Sequence, residues 1–231
     1  DAVYVKECES RFLLANQAVT TIMGMRIPDE IVGKTDFDFY PKNLAQKYHE
    51  DEQHVLCSGQ PLINIEEPGI DQTTGEAKWF LTTKVPFHDS QAHISGLVGI
   101  GRDITAIKQT QEQLLRLEKA VETMSLGVTV TDLTGAIIYT NPAEARMHGY
   151  QVDELIGQDV RIFAPPELRR PIILEQIKQW KGSLRESVNL RKDGTIFPVW
   201  LMSEVVQNAE GEPCAIVTSC EDITERKQAE E

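Results

Sequence analysis

The side chains that can ligate a metal, attack a substrate or move a proton are scattered through this 231-residue chain. Cys8, Cys57, Cys214 and Cys220 show neither the CxxC spacing of a metal site nor the density of a disulfide scaffold. They read as buried reduced thiols, which suits a cytoplasmic setting. His49 and His54 fall in one helical stretch, and His49 is the residue that could offer an axial ligand to a haem. Its neighbours Lys47, Glu50, Asp51, Glu52 and Gln53 are polar, which predicts a wet helix face. Glu66 and Glu67 are adjacent carboxylates, but a strand sends neighbours to opposite faces. Asp51 and Glu52 read as part of the same solvated helix. No P-loop, GxSxG elbow or HExxH run is present. The chain is therefore expected to be non-catalytic, with no metal set assigned.

Composition narrows the classes further. A net charge of -13 argues against a nucleic-acid partner or an anionic lipid surface, since both need a basic face. Charged residues at 26% and apolar residues at 41% are ordinary for a soluble chain. No apolar run approaches the roughly 20 residues of a membrane span, so no direct membrane insertion is expected. No leader is visible and residue 1 begins close to a strand, so the chain reads as a piece of a longer protein.

The elements that would position any site follow one script twice. An apolar strand, 96–101, exits through Arg102-Asp103-Ile104-Thr105 into a helix, 106–124, free of Gly and Pro. Strand 216–219 likewise exits through Glu221-Asp222-Ile223-Thr224 into a charged run. Asp103 or Thr105 can cap the first of these helices. Within it, Ile107, Leu114 and Val121 recur every seven residues, and Thr110, Leu117 and Met124 form the second heptad series. That is a short coiled-coil seam, expected to pair two copies of the chain.

Upstream of each exit the order is two strands, several short helices, then three strands. In the first unit the strands are expected at 2–5, 12–15, 62–66, 78–86 and 95–102. Asn16 should cap a helix over 17–23, and Pro41 should open a longer one that Gly59 stops. In the second unit they are expected at 127–132, 137–140, 187–191, 196–206 and 213–219. Asn141 should open a helix to His148, and Pro165 one that runs to Trp180 and stops at Gly182. Residues 198–202 are apolar at both parities, which predicts a strand covered on both sides. Asn16 and Asn141 stand 125 apart, Gly33 and Gly157 124, and Asp103 and Asp222 119. Anchors repeating at near-constant offset point to duplication.

Asn141-Pro142-Ala143, Asp153-Glu154-Leu155-Ile156-Gly157, Arg191-Lys192-Asp193-Gly194-Thr195 and Glu221-Asp222-Ile223-Thr224, with their first-unit counterparts, give both halves a resemblance to PAS domains, the sensing modules of bacterial signalling proteins. The resemblance implies an α+β fold: two five-stranded antiparallel sheets, each with short helices on one face and a small-molecule pocket between. It places the first domain at 1–105, a signalling helix at 106–124, the second domain at 125–224 and the start of an output helix at 225–231. It also implies a covalently linked output domain, of histidine kinase or cyclic-di-nucleotide enzyme type, beyond this chain.

Ligand chemistry is less constrained. A photoreceptor of the LOV type would need a cysteine where Asp36 and Val160 stand. Flavin-binding relatives resemble the second unit around Asn189, but Trp180-Lys181-Gly182 lies too far from it. A haem would draw on His49. No cofactor is thus expected, with flavin and haem as alternatives. Trp79, Thr82 and Lys84 on one strand, and Trp200, Met202 and Glu204 on its counterpart, are grouped as facing residues. Trp79, Thr82, Asn189, Trp200 and Met202 are taken as ligand-site candidates, and Asp103, Thr105, Asp222 and Thr224 as relay residues. The expected function is a tandem sensory module that relays a ligand or partner signal as a dimer; a ligand-free dimerisation scaffold is the rival.

Overall fold

Short apolar runs punctuated by turn residues pair into antiparallel strands, and here they do so twice. The computed structural model describes residues 1–170 and 183–230. The chain divides into two units, Asp1–Gln113 and Leu114–Glu231. In the first, β1 (Ala2–Glu7), β2 (Phe12–Ala15), β3 (Leu62–Ile70), β4 (Ala77–His88) and β5 (Ile94–Asp103) form an antiparallel sheet in the order β2-β1-β5-β4-β3. In the second, β6 (Gly127–Thr131), β7 (Ile137–Thr140), β8 (Ser183–Leu190), β9 (Ile196–Gln207) and β10 (Pro213–Asp222) repeat it as β7-β6-β10-β9-β8. The expected fold class is the one present.

Helices α1 (Gln17–Ile22) and α2 (Lys42–Ser58) belong to the first unit, α4 (Pro142–His148) and α5 (Val152–Leu155) to the second. The helix between, α3 (Thr105–Thr123), contains the boundary of the two units. The Asn16 side chain accepts from the amides of Val19 and Val3, and Asn141 accepts from those of Glu144 and Val128. Each Asn therefore caps a helix and ties it to the first strand of its sheet. Gly59 and Gly149 end their helices at φ 69° and 77°, a left-handed conformation that Gly takes without strain. Phe12, Val19 and Ile31 centre one core, and Ile137, Leu155 and Phe163 the other.

The structure revises several expectations. Strand β3 runs on to Ile70, through Pro68 and Gly69; it is an edge strand, where a missing N–H is tolerated. A Cβ on Gly69 would stand 2.6 Å from the Phe80 ring, so the ring presses on the backbone there. Pro166–Leu168 is a single helical turn closed at extended Arg169, not the start of a continuous helix. The remainder of that expected helix, with Trp180 and Gly182, lies outside the described residues. On β9, Phe197 and Val199 are buried but Met202 is 44% exposed, so this strand is not covered on both sides. Cys8, in the turn after β1, Cys57, near the end of α2, and Cys214, near the start of β10, are exposed rather than buried; Cys220 alone is buried.

Candidate ligand cavities and signalling junctions

In the first unit the cavity lies between the sheet and the helices. β1 brings Tyr4, α2 brings Tyr48 and Glu52, β3 brings Glu67, and β4 brings Phe80, Thr82 and Lys84. Lys6, also on β1, is not in the lining but bonds two of its carboxylates. Asp36 comes from the helical turn Asp36–Asp38. The cavity measures about 70 Å³. Lys6, only 1% exposed, bonds Asp36 and, at 2.5 Å, Glu52 Oε1. Lys84, equally buried, bonds Glu67 Oε1 at 2.6 Å, with Asp51 Oδ2 at 3.9 Å. Removing such charges from water costs several kcal/mol per ion, so each must be paired. Glu52 Oε2 is buried without a hydrogen-bond partner. Burial opposes the Lys6 charge, but Asp36 and Glu52 outweigh it and raise its pKa. Burial raises that of Glu52, against the pull of Lys6. Burial also raises the pKa of Tyr4, and the nearby Glu52, Glu67 and Asp36 add to the effect.

The second unit holds a cavity of about 400 Å³, lined among the described residues by Thr129, Glu144, Phe163, Asn189, Leu201 and Ser203. Arg161, Arg169, Arg170 and Arg185 also line it, so its electrostatic character is opposite to that of the first. Glu144 of this lining, with His148 and Cys220, which do not line the cavity, brings ligating atoms within 4.8 Å of one another. Both ring nitrogens of His148 are already engaged, Nδ1 with the Glu144 carbonyl at 3.1 Å and Nε2 with the Asn189 amide at 2.9 Å. The trio is a closed polar cluster rather than an open metal position. Burial pushes the Glu144 carboxyl up to about 8 and the His148 imidazole down to about 4.

The strand-to-helix junctions are built alike. The Asp103 carboxylate accepts the Thr105 N–H at 2.8 Å, and Asp222 accepts that of Thr224 at 2.9 Å. The Ile104 N–H donates to the Trp79 carbonyl, and that of Ile223 to the Pro198 carbonyl. Asp103 faces Lys78 at 3.7 Å, whereas Asp222 takes a 2.7 Å bond from Arg191. Each exit helix is then fastened to its own sheet by basic side chains. Lys108 bonds Glu66 and lies 5.4 Å from the Trp79 ring centroid; Lys227 bonds Glu186, and Arg226 lies 4.3 Å from that of Trp200.

Thr82 and Asn189 line their cavities. Trp79, Trp200 and Met202 are not in the linings; the two tryptophans sit beneath the exit helices instead. Grouping Trp79 with Thr82 and Lys84 fails on parity, since Phe80, Thr82 and Lys84 share the cavity face. His49 is half-buried against Phe37, with ring centroids 5.9 Å apart, and does not line the cavity. Ile107, Leu114, Leu117 and Met124 are exposed on or just after α3, while Val121 is half-buried. Sequence reasoning missed Lys6, Asp36, Glu52 and Glu67. Glu52, read as solvated, is 1% exposed. A signal was available: Ala45, Glu52, Val55 and Leu56 are the buried residues of α2 and share one helical stripe.

Among the described residues no helix is long and apolar enough to cross a membrane. A family model described as PAS fold matches residues 1–109, and one described as PAS domain matches residues 125–225. The chain is 27% identical over 199 residues to the methanogenesis regulatory histidine kinase FilI of Methanothrix harundinacea, covering 82% of this chain and 21% of that protein. It is 35% identical over 98 residues to a nitrogen fixation regulatory protein of Klebsiella oxytoca, covering 40% of this chain and 19% of the relative. It thus spans about a fifth of the length of these two relatives. The solved PAS domain of a Colwellia psychrerythraea protein is 26% identical, with a TM-score of 0.43, over 49% of this chain and 99% of that one.

Proposed function

Because both halves of this chain belong to the PAS family, we propose that it is the sensory region of a larger cytoplasmic signalling protein. It takes a small molecule into a PAS cavity and relays the resulting change to an output domain outside the chain. A histidine kinase or a diguanylate cyclase is the class of output that fits. The relay residues are Asp103 and Thr105 in the first unit, Asp222 and Thr224 in the second.

One observation carries this reading. Phe80 lines the first cavity, and its partner across the β4–β5 ladder is Asp103. A ligand that moves Phe80 therefore acts on the strand that ends in the helix cap. It can shift the signalling equilibrium only by as much as it prefers one state over the other. The exposed apolar series on α3 supports a second copy of the chain as the partner in that state.

The test is native mass spectrometry of the purified protein with an absorption spectrum of the same sample. Extra bound mass without colour supports a metabolite sensor. A flavin or Soret band would replace it with a redox or gas sensor. The apo mass, persisting after incubation with cell extract, would favour a ligand-free dimerisation scaffold.

A further inference from the structure

The chemistry of the first cavity goes further, and rests on the ligand-sensing reading above. Its wall carries two kinds of group. Tyr4, Phe12, Tyr40, Tyr48 and Phe80 contribute aromatic rings; Asp36, Glu52 and Glu67 contribute carboxylates. Against these three buried carboxylates stand two buried ammonium groups, Lys6 and Lys84. With all three ionised, one negative charge is left without a counter-charge inside; burial raises the Glu52 pKa, so Glu52 is the carboxylate that a bound cation would hold ionised. The acceptor left over is identifiable, since Glu52 Oε2 has no partner while Oε1 is held by Lys6. A buried acceptor in that condition costs free energy until a donor reaches it.

Size sets a second bound. A volume of about 70 Å³ is roughly half of the 150 Å³ at which an engineered cavity takes up benzene, so only a few non-hydrogen atoms fit. Aromatic faces attract cations and pack well against methyl groups. We propose that the first unit binds a compact protonated methylamine, whose N–H meets Glu52 Oε2 and whose methyl groups meet the rings of Tyr4, Tyr40 and Tyr48. An anion of the same size would face three carboxylates, with both lysines already paired. A neutral molecule would leave the surplus charge unmet.

The test is calorimetric titration of the 231-residue chain with trimethylammonium chloride, isopropanol and sodium acetate, a cation, a neutral molecule and an anion of similar size. Trimethylammonium is expected to bind at least tenfold more tightly than the other two. Glu52→Gln should weaken it at least tenfold, and Tyr40→Leu should weaken it too. The three-probe comparison needs no variant, so a misfolded substitution does not blunt it. Isopropanol or acetate binding as tightly overturns the cation assignment but leaves a ligand-binding cavity standing. Binding that Glu52→Gln and Tyr40→Leu do not change, in folded proteins, also overturns it. If none of the three binds, the assignment fails; an apo mass after exposure to cell extract would then remove the ligand-sensing reading as well.

Discussion

The backbone N–H of Trp79 donates to Thr105 Oγ1 at 3.0 Å. The matching residue of the second unit, Pro198, has no N–H to give; there Thr224 Oγ1 donates to Asp222 at 2.5 Å and, among the described residues, takes no bond from the strand. One Asp-Ile-Thr sequence is thus locked in two ways. Thr105→Val should orphan the Trp79 amide, cost about 1 kcal/mol, and speed hydrogen exchange at that amide. Thr224→Val leaves Asp222 its bonds from Arg191 and the Thr224 amide, and should cost less. Unchanged Trp79 exchange in Thr105→Val would show that the hydroxyl is not what holds this junction.

Burial opposes ionisation of Asp222, but bonds from Thr224 and Arg191 outweigh it and hold its carboxyl below the usual range. Asp222→Ala should therefore release the exit helix without opening the sheet. In the full-length protein, ligand binding should persist while output ceases to respond to it. The comparison is output activity with and without ligand. A normal response from the variant would remove Asp222 from the relay.

Glu144 and His148 give the second unit a defined pH dependence. The Glu144 folded pKa, about 8, lies above its ordinary value of 4.5. Its contribution to stability is intact below about 4.5 and lost as pH rises through 8. That of His148, about 4 against 6.5, runs the other way: intact above about 6.5 and lost as pH falls through 4. The two slopes cancel between about 4.5 and 6.5, leaving Glu144 alone above that. From pH 6.5 to 8 the loss should be about 2 kcal/mol, and Glu144→Gln should abolish it. Denaturant melts of both proteins across that range decide the matter; parallel curves would mean Glu144 is not the group responsible.

Leu114 and Leu117 are 62% and 61% exposed on α3. Replacing both by Glu should convert a dimer to a monomer while helix content is retained. Sedimentation equilibrium reads the change. A mass that does not move would place any dimer contact elsewhere.

Periodic and local features were legible because their physics is local. Asn16 and Asn141 cap helices that begin at the next residue, accepting from amides three residues on, and Gly59 and Gly149 act within one turn; the bonds of the same Asn side chains to Val3 and Val128 were not legible. The duplication was legible because those anchors recur. The buried charges were not, because Lys6 finds its partners 30 and 46 residues away, at Asp36 and Glu52. Polar neighbours on α2 masked Glu52, although its place on the apolar stripe distinguished it. The parity of Trp79 against Thr82 was readable from spacing alone. What spacing could not tell was which side of β4 faces the cavity.

Pro68 has a consequence for encounters between chains. In an antiparallel strand the N–H and C=O of one residue point to the same side. Pro68 has no N–H, and its carbonyl is taken by the Tyr48 hydroxyl at 2.5 Å. The outer edge of β3 is therefore blank at this residue, with neither a donor nor a free acceptor for an incoming strand. A foreign or sister chain trying to extend the sheet meets a gap in its ladder here. The edge that would otherwise seed fibrous aggregation is blunted by a proline and a tyrosine.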